Sequence, residues 1–268
     1  MIYITGDCHG NFERFLPEIF PERLNMTKDD FVIICGDFGG VWELDTSAGC
    51  WRKQFNGYKH DCRMKAENNE LDRLDSMPFT TLFVDGNHEN FDRLDEYPVE
   101  EWHGGHVHKI RPSIFHLMRG EVFDLQGKKF FTFGGAASHD IDGGILNPWD
   151  ARFSERRAEL NHGTLPYRIN GVSWWPQELA SNEEKINGWK NLQKHDSKVD
   201  FIVTHCCSTS SQVLLGGAGL YIPDHQTDYL EEIRQKVDFK KWFFGHYHIN
   251  RNINDKEICI YEQIIRIA

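Results

Sequence analysis

Six short apolar runs, each closed by turn residues, constrain this chain more than any other feature of its sequence. They occupy residues 2–5, 31–35, 81–84, 129–133, 201–204 and 241–244. Runs this short, rich in β-branched and aromatic residues, predict strands buried on both faces. Between the first two, Phe12, Phe15, Leu16, Ile19 and Phe20 recur at helical spacing. Pro17 lies inside that stripe and predicts a kinked or late-starting helix. Leu230, Ile233 and Val237 form a second stripe, with Asp228 as its candidate N-cap. Strand, helix, strand is the βαβ signature, so the chain is read as an α/β protein.

The residues just beyond each run matter more than the run itself. The first run leads into Gly6-Asp7-Cys8-His9-Gly10, the second into Gly36-Asp37, and the third into Asp85-Gly86-Asn87-His88-Glu89. The fifth ends on His205, and the sixth leads into Gly245-His246-Tyr247-His248. Five predicted strands therefore deliver Asp, Asn or His at their carboxyl ends, the edge where open α/β sheets bind ligands. Mixed imidazole and carboxylate donors suit divalent first-row metals. Asp7 and His9 stand two residues apart, so on extended backbone both face the same way and can grip one ion. His246 and His248 share that spacing, although a turn there would send them to different ions. Asp37, a short carboxylate directly after a strand, suits a bridge between two cations. Asn87 offers a neutral amide oxygen and His205 a further imidazole. Alone, an Asp-x-His or an Asn-His pair is ordinary turn or cap chemistry. Five such groups, each closing a strand, point to a metal site.

The chain has 268 residues, enough for one large α/β domain with its own core. A net charge of −11 argues against long nucleic acid and anionic membrane as partners. Nucleotides stay open, because bound cations supply local positive charge. Seven scattered cysteines without a C-x-x-C pair exclude a disulfide frame and a zinc knuckle, and the cytoplasm is the simplest compartment. The N-terminus reads as a strand rather than a signal peptide. No apolar run approaches the length of a membrane span.

The blocks GDCHG, GD, GNHE, TH and GHYH, running from Gly6 to His248, resemble the signature of the calcineurin-like metallophosphoesterase superfamily. That resemblance implies a four-layer α/β/β/α sandwich: two mixed β-sheets flanked by helices, with the metal site at the carboxyl ends of the strands. Residues 1–268 would form one such domain, with a cap or lid inserted at about 141–198. Asp7, His9 and His248 would bind a first metal and Asn87, His205 and His246 a second, with Asp37 bridging both. The cofactors would be two divalent ions, Mn favoured, with Fe, Zn or Ni also suited. Two cations about 3.5–4 Å apart lower the pKa of a bridging water and clamp phosphoryl oxygens. The implied activity is hydrolysis of a phosphomonoester or phosphodiester by that bridging hydroxide, on a small phosphorylated substrate. His88 would be the general acid or a donor to transition-state charge; its alternative is a histidine that orients its neighbours. Rival readings are a nucleotide or polynucleotide phosphodiesterase or nuclease, and a catalytically silent binding member. No ligand position has lost its donor, which weakens the silent reading.

The chain departs from one branch of the superfamily. Where protein serine/threonine phosphatases carry Asp and Arg after the second block, Gly40 and Val41 stand here. A phosphate-gripping Arg must then come from elsewhere, with Arg93, Arg111, Arg119 and Arg251 as candidates. Cys8, between two ligands, should point into the core. Glu89 is read as a helix N-terminal carboxylate, and His139 is placed near the same edge. Trp42, Trp51, Trp149, Trp174 and Trp175 are read as pocket-lining or cap-packing residues, and His103, His106 and His108 as a solvent-facing loop.

Overall fold

The computed structural model describes residues 1–43 and 60–268, the side chains of 60–62 excepted; Cys50 and Trp51 lie outside the described residues. Two large sheets dominate. The first places β1 (Ile2–Thr5), β2 (Phe31–Ile34), β3 (Thr80–Phe83) and β6 (Ile114–Leu117) side by side and parallel. β5 (Gly105–Arg111) and β4 (Val99–Trp102) continue it antiparallel on one side, and β15 (Ile265–Arg266) closes the other. In the second sheet, β8 (Lys128–Phe133), β11 (Lys198–Thr204), β12 (Asp238–Phe244) and β14 (Glu257–Cys259) are parallel. β7 (Glu121–Leu125) and β13 (Arg251–Asn252) flank them antiparallel.

The period-two alternation of the strands builds three apolar layers. Ile2, Ile4, Ile33, Leu82 and Val84 from the first sheet meet Phe130, Phe201, Val203 and Phe243 from the second in a core between the sheets. The alternate residues Tyr3, Val32, Ile34 and Phe83 face a second core with Phe15, Phe79, Leu71 and Leu74. Phe131, Phe133, Ile202, Trp242 and Phe244 face a third with Leu192, Leu215, Leu230 and Ile233. Burial on both faces is why these strands read as continuous apolar runs. Leu71 and Leu74 belong to helix α1 (His60–Asp75); Leu192, Leu215 and Leu230 belong to α4 (Asn182–Lys194), α5 (Thr209–Gly216) and α6 (His225–Lys236). The result is the expected α/β/β/α sandwich of two mixed sheets.

Two local expectations need correction. The stripe over residues 12–20 forms no α-helix, only 3₁₀ turns at Glu13–Phe15 and Pro21–Asn25. Pro17 and Pro21 lack the N–H that a continuing helix needs, and the aromatic rings fill the core from turns instead. In α6 the N-cap is Asp224, whose side chain accepts from Gln226 N and Thr227 N; Asp228 sits within the first turn. Residues 141–198 hold a small two-stranded sheet of β9 (Ile145–Leu146) and β10 (Arg168–Ile169), helix α3 (Phe153–His162), and α4. α4 is closed by a capping box between Ser181 and Glu184 and lies on the second sheet. No helix among the described residues is long and apolar enough to cross a membrane.

Candidate metal centre and catalytic edge

The loops after β1, β2, β3, β8, β11 and β12 converge at one edge, because the strands before them run parallel within each sheet. Asp7, His9, Asp37 and His248 meet there, with ligating atoms within 4.8 Å of one another. That is close to the spacing of donors around one ion, each at about 2.0–2.2 Å from it. His248 Nε2 lies 3.1 Å from Asp7 Oδ2 and 3.1 Å from His9 Nε2. Beside this group, His205 Nε2 stands 3.1 Å from Asn87 Oδ1 and 3.4 Å from Asp37 Oδ1. The His246 ring centroid is 5.0 Å from that of His205. Asp37 thus faces His9 on one side, at 3.7 Å, and His205 on the other. All seven residues expected from the sequence are gathered at this edge.

The backbone is bent to achieve this. His9, Asp37, His246 and His248 all adopt positive φ, between 46° and 67°. Non-glycine residues seldom occupy that region, and clusters of them mark sites whose geometry the surrounding fold imposes. Two glycines make the close approach possible. A Cβ on Gly86 would lie 2.0 Å from Asp37 Oδ1, and one on Gly245 would lie 2.1 Å from Asp7 Oδ1.

Several of these residues and their loops are oriented by partners behind them, a feature that suits metal ligands. His205 Nδ1 faces the carbonyl of Cys35 at 2.8 Å. A carbonyl only accepts, so Nδ1 carries hydrogen and Nε2 is the atom offered to the cluster. Asn87 Nδ2 donates to Ser138 Oγ at 3.3 Å, and Ser138 Oγ donates to Glu178 Oε2 at 2.6 Å. This chain turns the Asn87 oxygen toward His205. Arg14 pins the first loop by donating to the carbonyls of Asp7 (2.6 Å), Gly6 (3.2 Å) and Tyr261 (2.8 Å). Glu89 accepts from Phe38 N (2.7 Å) and Gly39 N (3.3 Å) and so holds the Asp37 loop. It is wholly buried and does not cap a helix; Asn90 caps the short helix α2 (Phe91–Leu94), its amide oxygen accepting from Arg93 N. Burial and the nearby Asp37 push the Glu89 carboxyl well above its usual range.

The donor set itself asks for a cation. Asp7 and Asp37 are each 1% exposed, and among the described residues their side-chain ion-pair partners are histidines alone. Burying a carboxylate without a compensating charge is costly. Burial by itself would lower the His205 pKa, but Asp37 and Asp7 overcome it and drive it up to about 10. Asp37 is likewise held below the usual carboxylate range: burial would raise it, but His205 at its side more than offsets that. A divalent ion would take over this neutralising role and displace the proton. His246 is pushed well down, by burial first and by His205 next, so it is a neutral donor.

His88 sits at the rim. Its backbone N–H donates to Asp37 Oδ1 at 2.8 Å, and its ring centroid lies 5.5 Å from that of His9. Burial depresses its pKa against the pull of Asp37. Two cavities flank the cluster. One, of about 400 Å³, is lined by His9, His88, Phe12 and Trp42. The other, of about 530 Å³, is lined by His139, His246, Ile141, Tyr221 and Tyr247.

Other expectations land elsewhere. Cys8 is buried in the first sheet's outer core, as its place between two ligands implied. His139 reaches the edge, 5.4 Å ring to ring from His246. The four candidate arginines are all engaged away from the cluster. Arg93 pairs with Glu67, Arg111 with Asp72, and Arg119 with Asp85, while Arg251 donates to the Leu215 carbonyl. Arg168, which sequence reasoning passed over, is the guanidinium that reaches His88. Trp175 is buried and packs edge-on against Trp42, whereas Trp149 is 71% exposed. His108 is no loop residue: it lies on β5, buried, with Nδ1 3.0 Å from His116 Nδ1.

The sequence also has measurable relatives. Lariat debranching enzyme A of Xenopus laevis is 27% identical over 147 residues, covering 52% of this chain and 24% of that protein. The Drosophila melanogaster lariat debranching enzyme is 29% identical over 144 residues, covering 52% and 24%. Each match therefore spans about a quarter of the relative's length. A phosphopantetheinyl hydrolase from Mycobacterium tuberculosis superposes with a TM-score of 0.39 at 13% identity, over 97% of this chain and 87% of that one. The decisive match is to a family: residues 1–250 fit the calcineurin-like phosphoesterases, which embraces every loop of the cluster. The chain belongs to the calcineurin-like phosphoesterase family.

Proposed function

We propose that the protein is a metal-dependent phosphodiesterase acting on a small, nucleotide-sized phosphodiester. The observation that carries this reading is the pair of buried carboxylates, Asp7 and Asp37, faced by imidazoles and by no lysine or arginine partner among the described residues. Asp7, His9 and His248 would hold one divalent ion, Asn87, His205 and His246 a second, and Asp37 would be shared. Bound there, such ions supply Lewis acidity toward phosphoryl oxygens and ionise water near neutral pH. The chain's own residues do the rest. His88 presents Nε2 at the rim and supplies a proton to the departing oxygen. Asn87 is held in one orientation by Ser138 and Glu178, so the amide needs no reordering when substrate arrives.

Diester over monoester is favoured by the relatives, whose names describe the debranching of lariats. A net charge of −11 favours a short substrate over a long polyanion. The five cysteines among the described side chains are free and buried, which suits the reducing cytoplasm. The test is to strip the protein of metal and supply Mn, Ni or Zn. Turnover of a chromogenic diester and of the matching monoester is then measured beside calorimetric metal uptake. Metal-dependent turnover with the diester preferred is expected. A protein that takes up no divalent ion in calorimetry overturns the reading.

A further inference from the structure

Arg168 comes to the catalytic edge from β10, within the stretch that the sequence marks as an insertion. The small β9–β10 sheet fixes its backbone, pairing Arg168 with Ile145 and burying Ile169 beside it. Its Nε donates to Asp140 Oδ1 at 3.0 Å, and its Nη2 pairs with Asp140 Oδ2. The same Nη2 stands 3.4 Å from His88 Nε2. Nη1 makes no hydrogen bond to any described residue. The side chain is 19% exposed.

A guanidinium has five N–H donors and no acceptor. The 3.4 Å contact from Nη2 to His88 Nε2 is long for a hydrogen bond, and its direction depends on the His88 tautomer. It brings a charged guanidinium beside His88 at the candidate metal edge, where an oxyanion would be met by both. Asp140 engages the Nε and Nη2 side of the guanidinium and fixes its plane, which leaves Nη1 available. Resting on the phosphodiesterase reading above, we propose that Arg168 binds a non-bridging oxygen of the substrate's phosphoryl group beside His88. Asp140 is the positioning residue that aims it. Arg168 thereby fills the role for which Gly40 and Val41 offer no side chain. Because it is carried by the β9–β10 sheet rather than by a metal loop, the segment around it helps select which phosphate esters fit. A planar fork matches a phosphoryl group in a way that a lysine ammonium does not.

The test compares wild type, Arg168→Ala, Arg168→Lys and Asp140→Asn, all metal-loaded. Inorganic phosphate binding is measured by calorimetry and as product inhibition, together with KM and kcat for a chromogenic diester and metal content. We expect Arg168→Ala to keep its metal and lose phosphate affinity by about tenfold or more. Arg168→Lys should recover part of that loss, and Asp140→Asn should bind phosphate more tightly than Arg168→Ala. Phosphate affinity equal to wild type in both Arg168 variants overturns the proposal. So does an Asp140→Asn loss as large as that of Arg168→Ala, which would make the pair a simple anchor for the segment. Should Arg168→Ala fail to fold, Arg168→Lys against Asp140→Asn decides alone. Failure of the wild type itself to take up metal would instead remove the underlying phosphodiesterase reading.

Discussion

Asp37 and Asp85 lie just beyond the carboxyl ends of the neighbouring strands β2 and β3, and each is 1% exposed. The fold treats them in opposite ways. Asp85 accepts from Arg119 Nε at 2.9 Å and meets His116 Nε2 at 3.0 Å, and Arg119 Nη2 also donates to the Gln177 carbonyl. Its charge is neutralised by a guanidinium that is always charged, and its pKa is held down by that neighbour despite burial. Among the described residues Asp37 has only imidazoles and the His88 N–H. Imidazoles can give up their protons and turn lone pairs toward a metal, which a guanidinium cannot do. One buried carboxylate is thus locked as a structural anion and the other left open to a cation, and the partner decides which.

Exchange of either carboxylate's surroundings should break that contrast. The largest effect is expected from Asp37→Asn. It removes the shared ligand and with it several kcal/mol of charge stabilisation, lowering metal-dependent diester turnover by about a thousandfold. Without metal the variant should lose some stability, because ionised Asp37 and His205 hold each other's charge in the fold. A loss as large as that from uncoupling Asp85 would show that Asp37, like Asp85, is structural. The mirror experiment is Arg119→Met, which leaves Asp85 buried and uncompensated and should cost about 3–5 kcal/mol in denaturant unfolding. Metal uptake per folded chain should survive it. Next is His88→Asn, expected to lower kcat about a hundredfold with metal content unchanged. Loss of metal along with activity would instead make His88 an orienting residue.

The same contrast shows what the sequence made legible. The meeting of the seven candidate donors at one edge could be read because each follows a parallel strand buried on both faces, so an apolar run points to it along the chain. Residues 99–125 gave no such signal. Val99-Glu100-Glu101-Trp102 is a largely exposed edge strand, and β5 alternates buried and exposed positions beside histidines at 103, 106 and 108. The residues behind the donors were hidden for another reason. Ser138 meets Asn87 across 51 residues and Glu178 meets Ser138 across 40, and Arg168 meets His88 across 80. No local spacing encodes contacts of that range. His139 is placed near this edge by the sequence, and the segment after β8 that carries it also supplies Ser138 and Asp140. The expected helix over residues 12–20 failed because proline chemistry outweighed an apolar stripe. The expected Asp228 cap failed because Asp224, one turn earlier, offers its carboxylate to two free N–H groups.

The smallest expected effect tests how far the Asp85 anion reaches. His116 bridges Asp85 through Nε2 and His108 through Nδ1, at 3.0 Å in each case. The two Nδ1 atoms face each other, so one must carry the hydrogen and the other accept it. Burial first, and the neighbouring His116 second, lower the His108 pKa to about 4. The unfolded chain would titrate this histidine near its ordinary value of about 6.5. Between those two values the unfolded state binds a proton that the folded state refuses. Stability contributed at neutral pH is therefore lost as the pH falls through that window. The loss is on the order of 2 kcal/mol, less than the full shift because the site is partly wet. His108→Gln should keep a polar partner for His116 and flatten this acid limb of the unfolding curve between about pH 6.5 and 4. An unchanged slope would mean that His108 is protonated in the folded protein, and that the charge of Asp85 extends beyond His116 rather than ending there.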